Sequence, residues 1–176
     1  TIEKGALAGM TALRTLSIYS LDTDNSYLAY YFGADSGEAN GSAGNFSPET
    51  LEKVSIKKSS LNLPDYAFYG FTGLSEVEGL DGLRKIGKYA FAYTALVDVK
   101  IPASLISIGE KAFFGCSAVK SFTVEAGNTA YSAYDSCLYN KALTDLYLVP
   151  VTKTEIAFPS TVTTITSGAF YRSEVK

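Results

Sequence analysis

The chain has 176 residues, of which 47% are hydrophobic and 19% charged, and its formal net charge is −3. This length and composition predict one globular domain rather than a disordered chain, and the acidic balance argues against nucleic-acid binding. The sequence has no histidine, which removes the commonest general base and a common metal ligand, and no apolar run approaches the roughly 20 residues that a membrane-spanning helix needs.

The N-terminal stretch holds the first copies of two short motifs that recur along the chain. Residues 2–7 are a copy of the closure motif, in which an apolar residue is followed four places later by Ala and then by a large apolar residue. Leu13, Leu16 and Ile18 form a copy of the strand motif, apolar-x-x-apolar-x-apolar. The alternation at the end of that motif predicts a short strand whose apolar side chains point inward.

An insertion at about 20–47 follows the first strand motif. Its second half, from Ala34 to Gly44, is small and polar, which predicts a flexible loop. Its first half is aromatic and has two interpretations: a binding patch, or an atypical repeat in which Leu28, Tyr31 and Phe32 pack on the core. We favour the packing interpretation.

After the insertion both motifs recur in phase. The strand motif that begins at residue 74 is weaker than the others, because Gly79 takes its third apolar place. Successive strand motifs lie 22–24 residues apart, within the period expected of leucine-rich repeats. The strand motifs begin at Leu51, Leu74, Leu96, Val119 and Leu143, and the closure motifs occupy residues 63–68, 86–91, 108–113 and 165–170.

Each repeat supplies the parts of one coil of a solenoid. An apolar pair such as Leu83 and Ile86 predicts the return side of the coil, and Gly87 and Gly109 predict a turn that side chains would hinder. Ala in the closure motif permits close backbone approach, and Phe fills the space between coils. Because one repeat cannot bury these residues alone, the pattern predicts a β-rich leucine-rich-repeat solenoid, a right-handed coil of short parallel strands with short helical or turn segments.

The motifs resemble those of the BspA-like leucine-rich repeat family, most clearly between residues 86 and 124. Phe113-Phe114-Gly115-Cys116 is similar to the family's Phe-x-Gly-Cys, and residues 128–150 are similar to a variant unit with an Asn-x-x-Tyr start and a Leu-Tyr-Asn turn. The resemblance implies a bacterial protein that is secreted or displayed on the cell surface. It also implies adhesion to a protein ligand, such as a host matrix or cell-surface protein.

The domain expected from these repeats is a single solenoid over residues 1–176, with the one insertion. The sequence begins and ends inside a repeat, so we expect a fragment of a longer array, since solenoids need capped ends.

The outward face of the predicted strands is the candidate binding surface, because solenoids present extended faces to their partners. The alternative is that this mixed, largely polar face is simply solvated. The candidate residues are Lys53, Glu76, Asp98, Lys100, Lys120, Asp145 and Tyr147.

No catalytic, metal or cofactor residue is predicted. Residues 22–25 hint at a calcium loop, but Ser26 and Tyr27 replace its fifth and sixth residues, which favours a polar turn. The spacing of Cys116 and Cys137 fits no zinc pattern, and the two residues are either buried thiols or a bridge between coils.

Two functions remain open on the sequence. The first is a non-enzymatic protein-interaction or adhesion module, with ligand contacts spread along the strand face. The second is a structural spacer that carries another functional domain of the parent protein. An enzyme would need a pocket of titratable groups with perturbed pKa values, for which the sequence offers no candidate cluster.

Overall fold

The computed structural model describes residues 2–21, 27–38, 47–58 and 62–176, which form a leucine-rich-repeat β-solenoid with almost no helix. Its elements are short strands and one 3-10 helix, η1 (Leu28–Phe32). The strands are β1 (Thr15–Ile18), β2 (Lys53–Ile56), β3 (Asn62–Leu63), β4 (Glu76–Glu78), β5 (Lys85–Ile86), β6 (Asp98–Ile101), β7 (Ser107–Ile108), β8 (Ser121–Val124), β9 (Tyr131–Tyr134), β10 (Cys137–Asn140), β11 (Asp145–Leu148) and β12 (Thr164–Ile165).

Five strand motifs form one side of the solenoid, here called the strand row. Strands β1, β2 and β4 make a parallel sheet and β6 and β8 make another, with the motifs in register, so that Val54 pairs with Val77 and Val99 with Phe122. The apolar positions point inward as predicted, and Val54 and Phe122 are buried. Strands β4 and β6 are not hydrogen-bonded to each other. Strand β4 ends just before Gly79, which takes the third apolar place of the weak strand motif that begins at residue 74.

The return sides of successive coils form a second parallel sheet, in the order β3, β5, β7. After each return strand the closure motif packs against its neighbours, and the rings of Phe68, Phe91 and Phe113 form a stack with 5.3 Å between successive centroids. The preceding alanines are buried as well. The roles predicted for Ala and Phe are therefore confirmed.

The prediction that side chains would hinder the chain at Gly87 and Gly109 is confirmed, and the cause is close packing rather than backbone conformation. Neither residue has a positive φ, so neither makes a turn that requires glycine. Instead, the preceding coil passes directly over them: a Cβ on Gly109 would lie 2.5 Å from the backbone nitrogen of Lys88, and a Cβ on Gly87 would overlap Pro64. These glycines set the distance between coils.

Left-handed residues do recur in the closure segments, at two positions four residues apart. The pairs are Gly5 and Gly9, Tyr66 and Gly70, Tyr89 and Tyr93, Lys111 and Gly115, and Gly168 and Arg172. Each pair brackets the Ala-Phe step, or Ala6-Leu7 in the first closure segment. The sequence pattern did not reveal this feature, because several of the positions hold tyrosine, lysine or arginine rather than glycine.

The insertion leaves the strand row intact, because β1 pairs directly with β2 in parallel register. Helix η1 occupies the place of a closure segment. Its Leu28 donates its N–H to the carbonyl of Ala67, and the Tyr31 carbonyl accepts the N–H of Leu7, both at 2.8 Å. Leu28, Tyr31 and Phe32 are buried, as the packing interpretation predicted. The predicted loop and the possible calcium loop lie mostly or entirely outside the described residues.

Residues 128–150, here called the variant unit, depart from the parallel-strand prediction. Strands β9 and β10 form an antiparallel hairpin whose two loop residues, Asp135 and Ser136, are both left-handed, as in a type I′ turn. Strand β11 pairs antiparallel with β10 and parallel with β12. The strand row, which comprises the β1-β2-β4 and β6-β8 sheets, is followed by this four-stranded sheet, in which β11 pairs with β10 and β12 and with no strand of the row.

Candidate functional site

The strand row carries five of the seven predicted binding residues: Lys53, Glu76, Asp98, Lys100 and Lys120. Asp145 and Tyr147 do not belong to this row, because they lie on β11 in the four-stranded sheet of the variant unit. The Asp145 carboxylate accepts a hydrogen bond from the Asn140 amide at 2.8 Å. Tyr147 packs against the main core, its ring 5.9 Å from that of Tyr131. The predicted residues that lie in strands are thus divided among three sheets, and their role in binding stays a prediction.

Charges on the first half of the strand row pair with one another. The ammonium of Lys53 lies 3.1 Å from a carboxylate oxygen of Glu76 and 2.6 Å from one of Glu78. The hydrogen bonds to Glu78 and Glu76 raise the pKa of Lys53, and the bond from Lys53 lowers the pKa of Glu78. This part of the face therefore presents closely paired charges.

Charged side chains on the second half of the strand row also have close polar partners. Lys100 contacts Glu125 at 2.7 Å, which raises the pKa of Lys100 and lowers that of Glu125. The Asp98 carboxylate accepts a hydrogen bond from Ser121 at 2.6 Å. Lys120 is exposed. A cavity of about 520 Å³ lies where β4 and β6 separate, and Glu76, Asp98 and Lys100 help to line it.

A second surface consists of aromatic side chains on the closure segments, and sequence reasoning missed it. We call it the aromatic ladder: Tyr66, Tyr69, Tyr89, Tyr93, Phe114 and Tyr171. Neighbouring rings lie between 3.9 and 6.3 Å apart, in stacked or edge-to-face pairs. The signal in the sequence was the recurrence of aromatic residues on both sides of the Ala-Phe step.

The aromatic ladder is half-buried rather than hidden, and cations border it. Tyr171 is 41% exposed. The ammonium groups of Lys88 and Lys111 lie 5.4 and 5.7 Å from the centre of the Tyr89 ring. At one end, the Tyr66 hydroxyl is hydrogen-bonded to the Glu38 carboxylate, which raises the pKa of Tyr66. Half-exposed tyrosines combine apolar area with a polar edge, and aromatic residues are enriched in protein contact surfaces.

Both cysteines are free and buried, so the possible bridge between coils is not formed. Burial raises the pKa of both thiols, that of Cys137 to about 11. The Cys116 sulfur lies 3.1 Å from the carbonyl of Phe91. A nucleophilic cysteine needs a lowered pKa, and both thiols have the opposite shift.

The residues within the described ranges contain no group of three or more Cys, Asp and Glu side chains that could hold a metal ion. The helical part of the described chain is too short to cross a bilayer.

A second cavity, of about 430 Å³, is bordered by the closure segment of residues 109–116, the end of the variant unit and the last closure segment, residues 166–171. Its walls are mainly apolar and include Phe113, Leu148 and Val149. Tyr147 lines this cavity too, which is where the structure places that predicted residue.

Comparison with known proteins supports the repeat architecture. Residues 42–176 match the family model of the BspA type leucine rich repeat region, in six copies. No curated protein sequence matches this chain significantly.

Three solved structures share the fold. One is the pneumococcal vaccine antigen PcpA, with 23% identity over 72% of this chain and 36% of that one, and a TM-score of 0.58. A leucine-rich repeat protein from Eubacterium ventriosum has 24% identity over 70% of this chain and 40% of that one (TM-score 0.59). A leucine rich cell surface protein from Faecalibacterium prausnitzii has 32% identity over 65% of this chain and 31% of that one (TM-score 0.57). This chain thus spans 31–40% of the length of these proteins.

Proposed function

Because the chain belongs to the BspA type leucine rich repeat family, we propose that it is a non-enzymatic module that binds another protein outside a bacterial cell. Leucine-rich repeat domains generally bind proteins and are typically non-catalytic. The solved structures that it resembles include a protein described as a cell surface protein and one described as a vaccine antigen. These descriptions support a secreted or surface-displayed protein. We further propose that it adheres to a host matrix or cell-surface protein, as the resemblance to the family implies.

The observation that carries the proposal is the aromatic ladder. It extends over four closure segments, and its rings are held at fixed positions by their neighbours. A surface that is already ordered loses little side-chain entropy on binding, and tyrosine is among the residues enriched in binding hot spots. The ladder is therefore our first choice for the contact surface.

The strand row is our second choice. Lys53, Glu76, Asp98 and Lys100 already have protein partners, so a ligand would exchange one exposed polar contact for another and gain little from each. Lys120 is the residue of the row that we expect to contact a ligand, because it is exposed at the end next to the variant unit. Paired charges along the row also suit the spacer function, in which the solenoid only separates other domains.

The test measures binding of the purified protein to immobilised matrix proteins and to host cells. We expect Tyr69→Ala combined with Tyr93→Ala to weaken binding strongly and Lys120→Glu to weaken it slightly. Tyr134→Ala is the matched control, because Tyr134 is a 42% exposed tyrosine on the β9–β10 hairpin, away from the ladder. Thermal melts would show that each variant is folded.

Three outcomes would contradict the proposal in different ways. If the double tyrosine variant binds like the wild type, the ladder is not the contact surface. If Lys120→Glu alone abolishes binding, the strand row is the contact surface. If the wild-type protein and its full-length parent bind neither cells nor matrix proteins, the interaction function fails and the spacer function is favoured.

A further inference from the structure

Backbone hydrogen bonds join successive closure segments in a regular ladder. Three N–H groups of one segment, two residues apart, donate to three carbonyls of the next. The first set joins Tyr66, Phe68 and Gly70 to Lys88, Ala90 and Ala92, and the second joins Tyr89, Phe91 and Tyr93 to Glu110, Ala112 and Phe114, with N···O distances of 2.7–3.1 Å. Each coil thereby satisfies the donors of the coil before it.

This ladder of backbone hydrogen bonds stops at the segment of residues 109–115. The donors that come next in the pattern are the N–H groups of Lys111, Phe113 and Gly115, and none of them has a hydrogen-bond acceptor among the described residues. The ladder of backbone hydrogen bonds resumes one coil later, where the N–H of Val149 donates to the carbonyl of Ala169 at 2.9 Å. One rung of the solenoid is therefore missing between residues 109–115 and Val149.

The missing rung coincides with the cavity of about 430 Å³, since Lys111, Phe113, Gly115 and Val149 all line it. In each earlier coil the equivalent N–H groups point at the following closure segment. The same geometry directs the three unpaired donors into the cavity. Phe113 is buried, Gly115 is half-buried and Lys111 is exposed, so the N–H of Phe113 is the donor that most needs an acceptor. Unpaired backbone donors at buried residues are rare in folded proteins, so this edge favours an occupant that supplies acceptors.

The cavity also lacks an aromatic ring that the repeat otherwise supplies. Phe113 stacks on Phe91 with an interplanar angle of 4°. Val149 takes the next place in the hydrogen-bond ladder, where Phe68, Phe91 and Phe113 stand in earlier coils, and valine is too small to continue the stack. Phe113 lines the cavity, and its other aromatic neighbour there is Phe122, whose ring lies edge-on at 5.8 Å. An aromatic group fits there.

We propose that this cavity, the missing-rung site, binds a peptide segment of a partner protein that carries an aromatic side chain. The ring stacks on Phe113 and fills the space above Val149. Backbone carbonyls on the same segment accept hydrogen bonds from the N–H groups of Lys111, Phe113 and Gly115. The inference rests on the proposed protein-binding function and adds the chemistry of the bound segment.

The probe that tests the site is a capped heptapeptide with the sequence of residues 87–93, Gly-Lys-Tyr-Ala-Phe-Ala-Tyr. It carries a phenylalanine and three carbonyls two residues apart, which in the protein accept the N–H groups of the preceding coil. Amide hydrogen exchange by NMR follows the three donors one by one. In the wild-type protein we expect the amides of Lys111, Phe113 and Gly115 to exchange faster than those of Tyr89, Phe91 and Tyr93, and to slow down when the peptide is added at millimolar concentration.

Variants of Val149 separate filling of the cavity from unfolding. Val149→Phe supplies the missing ring from the protein itself, so we expect it to raise the melting temperature and to weaken peptide binding at least about tenfold. Val149→Ile, a smaller increase in volume, should have an intermediate effect. Tyr134→Ala should bind the peptide normally, and a peptide with Phe replaced by Ala should not bind.

The proposal is overturned if the three amides are already as slow as the paired ones in the free protein, or if saturating peptide leaves their exchange unchanged. It is also overturned if Val149→Phe binds the peptide as the wild type does. Slowing by N-acetyl-phenylalanine amide to the same extent as by the peptide would indicate a site for small aromatic molecules instead. If the peptide occupies the site but the protein binds no cells or matrix proteins, the missing-rung site stands and the proposed function fails. If the protein binds cells or matrix proteins but not the peptide, the proposed function stands and the missing-rung site fails.

Discussion

The regular coils between residues 62 and 116 and the variant unit at 128–150 solve the same packing problem in different ways. In the regular coils, each segment uses the next coil as its hydrogen-bond partner and as the second face of its aromatic stack. The variant unit instead forms its own antiparallel hairpin and fixes its corners with two asparagine side chains. A solenoid can therefore tolerate a self-contained unit, but the neighbouring coil then loses its partner, and a cavity results.

The asparagines show how the variant unit compensates for that loss. Asn128 is buried, donates to the carbonyls of Pro102 and Leu105, and accepts the N–H groups of Ala130 and Tyr131. In the variant unit, polar side chains thus make bonds that the backbone makes in the regular coils. The two regions should respond differently to mutation, and the predictions below test that difference.

The largest effect is expected in the regular coils, from Phe91→Ala. Phe91 is 2% exposed and lies between Phe68 and Phe113, so its removal should destabilise the protein by about 3–5 kcal/mol. Phe113→Ala should fall at the lower end of that range, because Phe113 lines the cavity. Chemical denaturation of both variants measures the difference. A Phe113 variant that is less stable than the Phe91 variant would contradict the missing rung.

The variant unit should be most sensitive at Asn128. Asn128→Ala removes four hydrogen bonds and leaves buried backbone groups unpaired, at a cost of about 2–3 kcal/mol. Amide exchange should report the loss locally, as faster exchange at Ala130 and Tyr131 with little change at Phe91. Uniform loss of protection along the whole chain would show instead that the two regions unfold as one unit.

Close approach between regular coils is tested at Gly109. Gly109→Ala places a methyl group against the backbone of Lys88, which cannot move aside as a side chain can, so we expect a loss of about 2 kcal/mol. The control is Gly82→Ala, because Gly82 has a positive φ but nothing within 4 Å of an added Cβ. Its cost should be about 1 kcal/mol, from backbone strain alone. Equal losses in thermal melts would show that spacing between coils is not the constraint.

The smallest effect is expected on the strand row, from Lys100→Ala. The Lys100 side chain is 70% exposed, and its ion pair with Glu125 is screened by solvent. We expect a melting temperature that is indistinguishable from that of the wild type at physiological salt. A clear loss of stability would mean that the row contributes to folding, and would remove one reason to regard its residues as available for binding.

Much of the architecture could be predicted from the sequence because the motifs are local. The phase of the strand motifs placed β1, β2, β4, β6 and β8, and the closure motif identified the stack of Phe68, Phe91 and Phe113. The candidate site was predicted less well. Five of its residues share the strand row, but the pairing of their charges depends on rotamers and on residues of neighbouring coils.

Tyr147 shows most directly why the rest could not be predicted. Its strand motif, which begins at Leu143, has the same apolar pattern as the motifs of the strand row. Whether such a strand extends the row or joins another sheet depends on the partner it meets. Here the hairpin of residues 131–140 places β10 on one side of β11, and β12 of the next coil pairs with the other side. The pattern of one strand carries no information about its partner.

By itself, the sequence determined that the chain stacks coils of 22–24 residues, and which apolar side chains those coils bury. These are consequences of periodicity, which is a property of neighbouring residues along the chain. Only the tertiary structure decided that β11 leaves the strand row, that tyrosines of separate coils align into a ladder, and that the donors of Lys111, Phe113 and Gly115 lack partners. Each of these depends on which segment lies next to which in space, and that is settled when the coils pack.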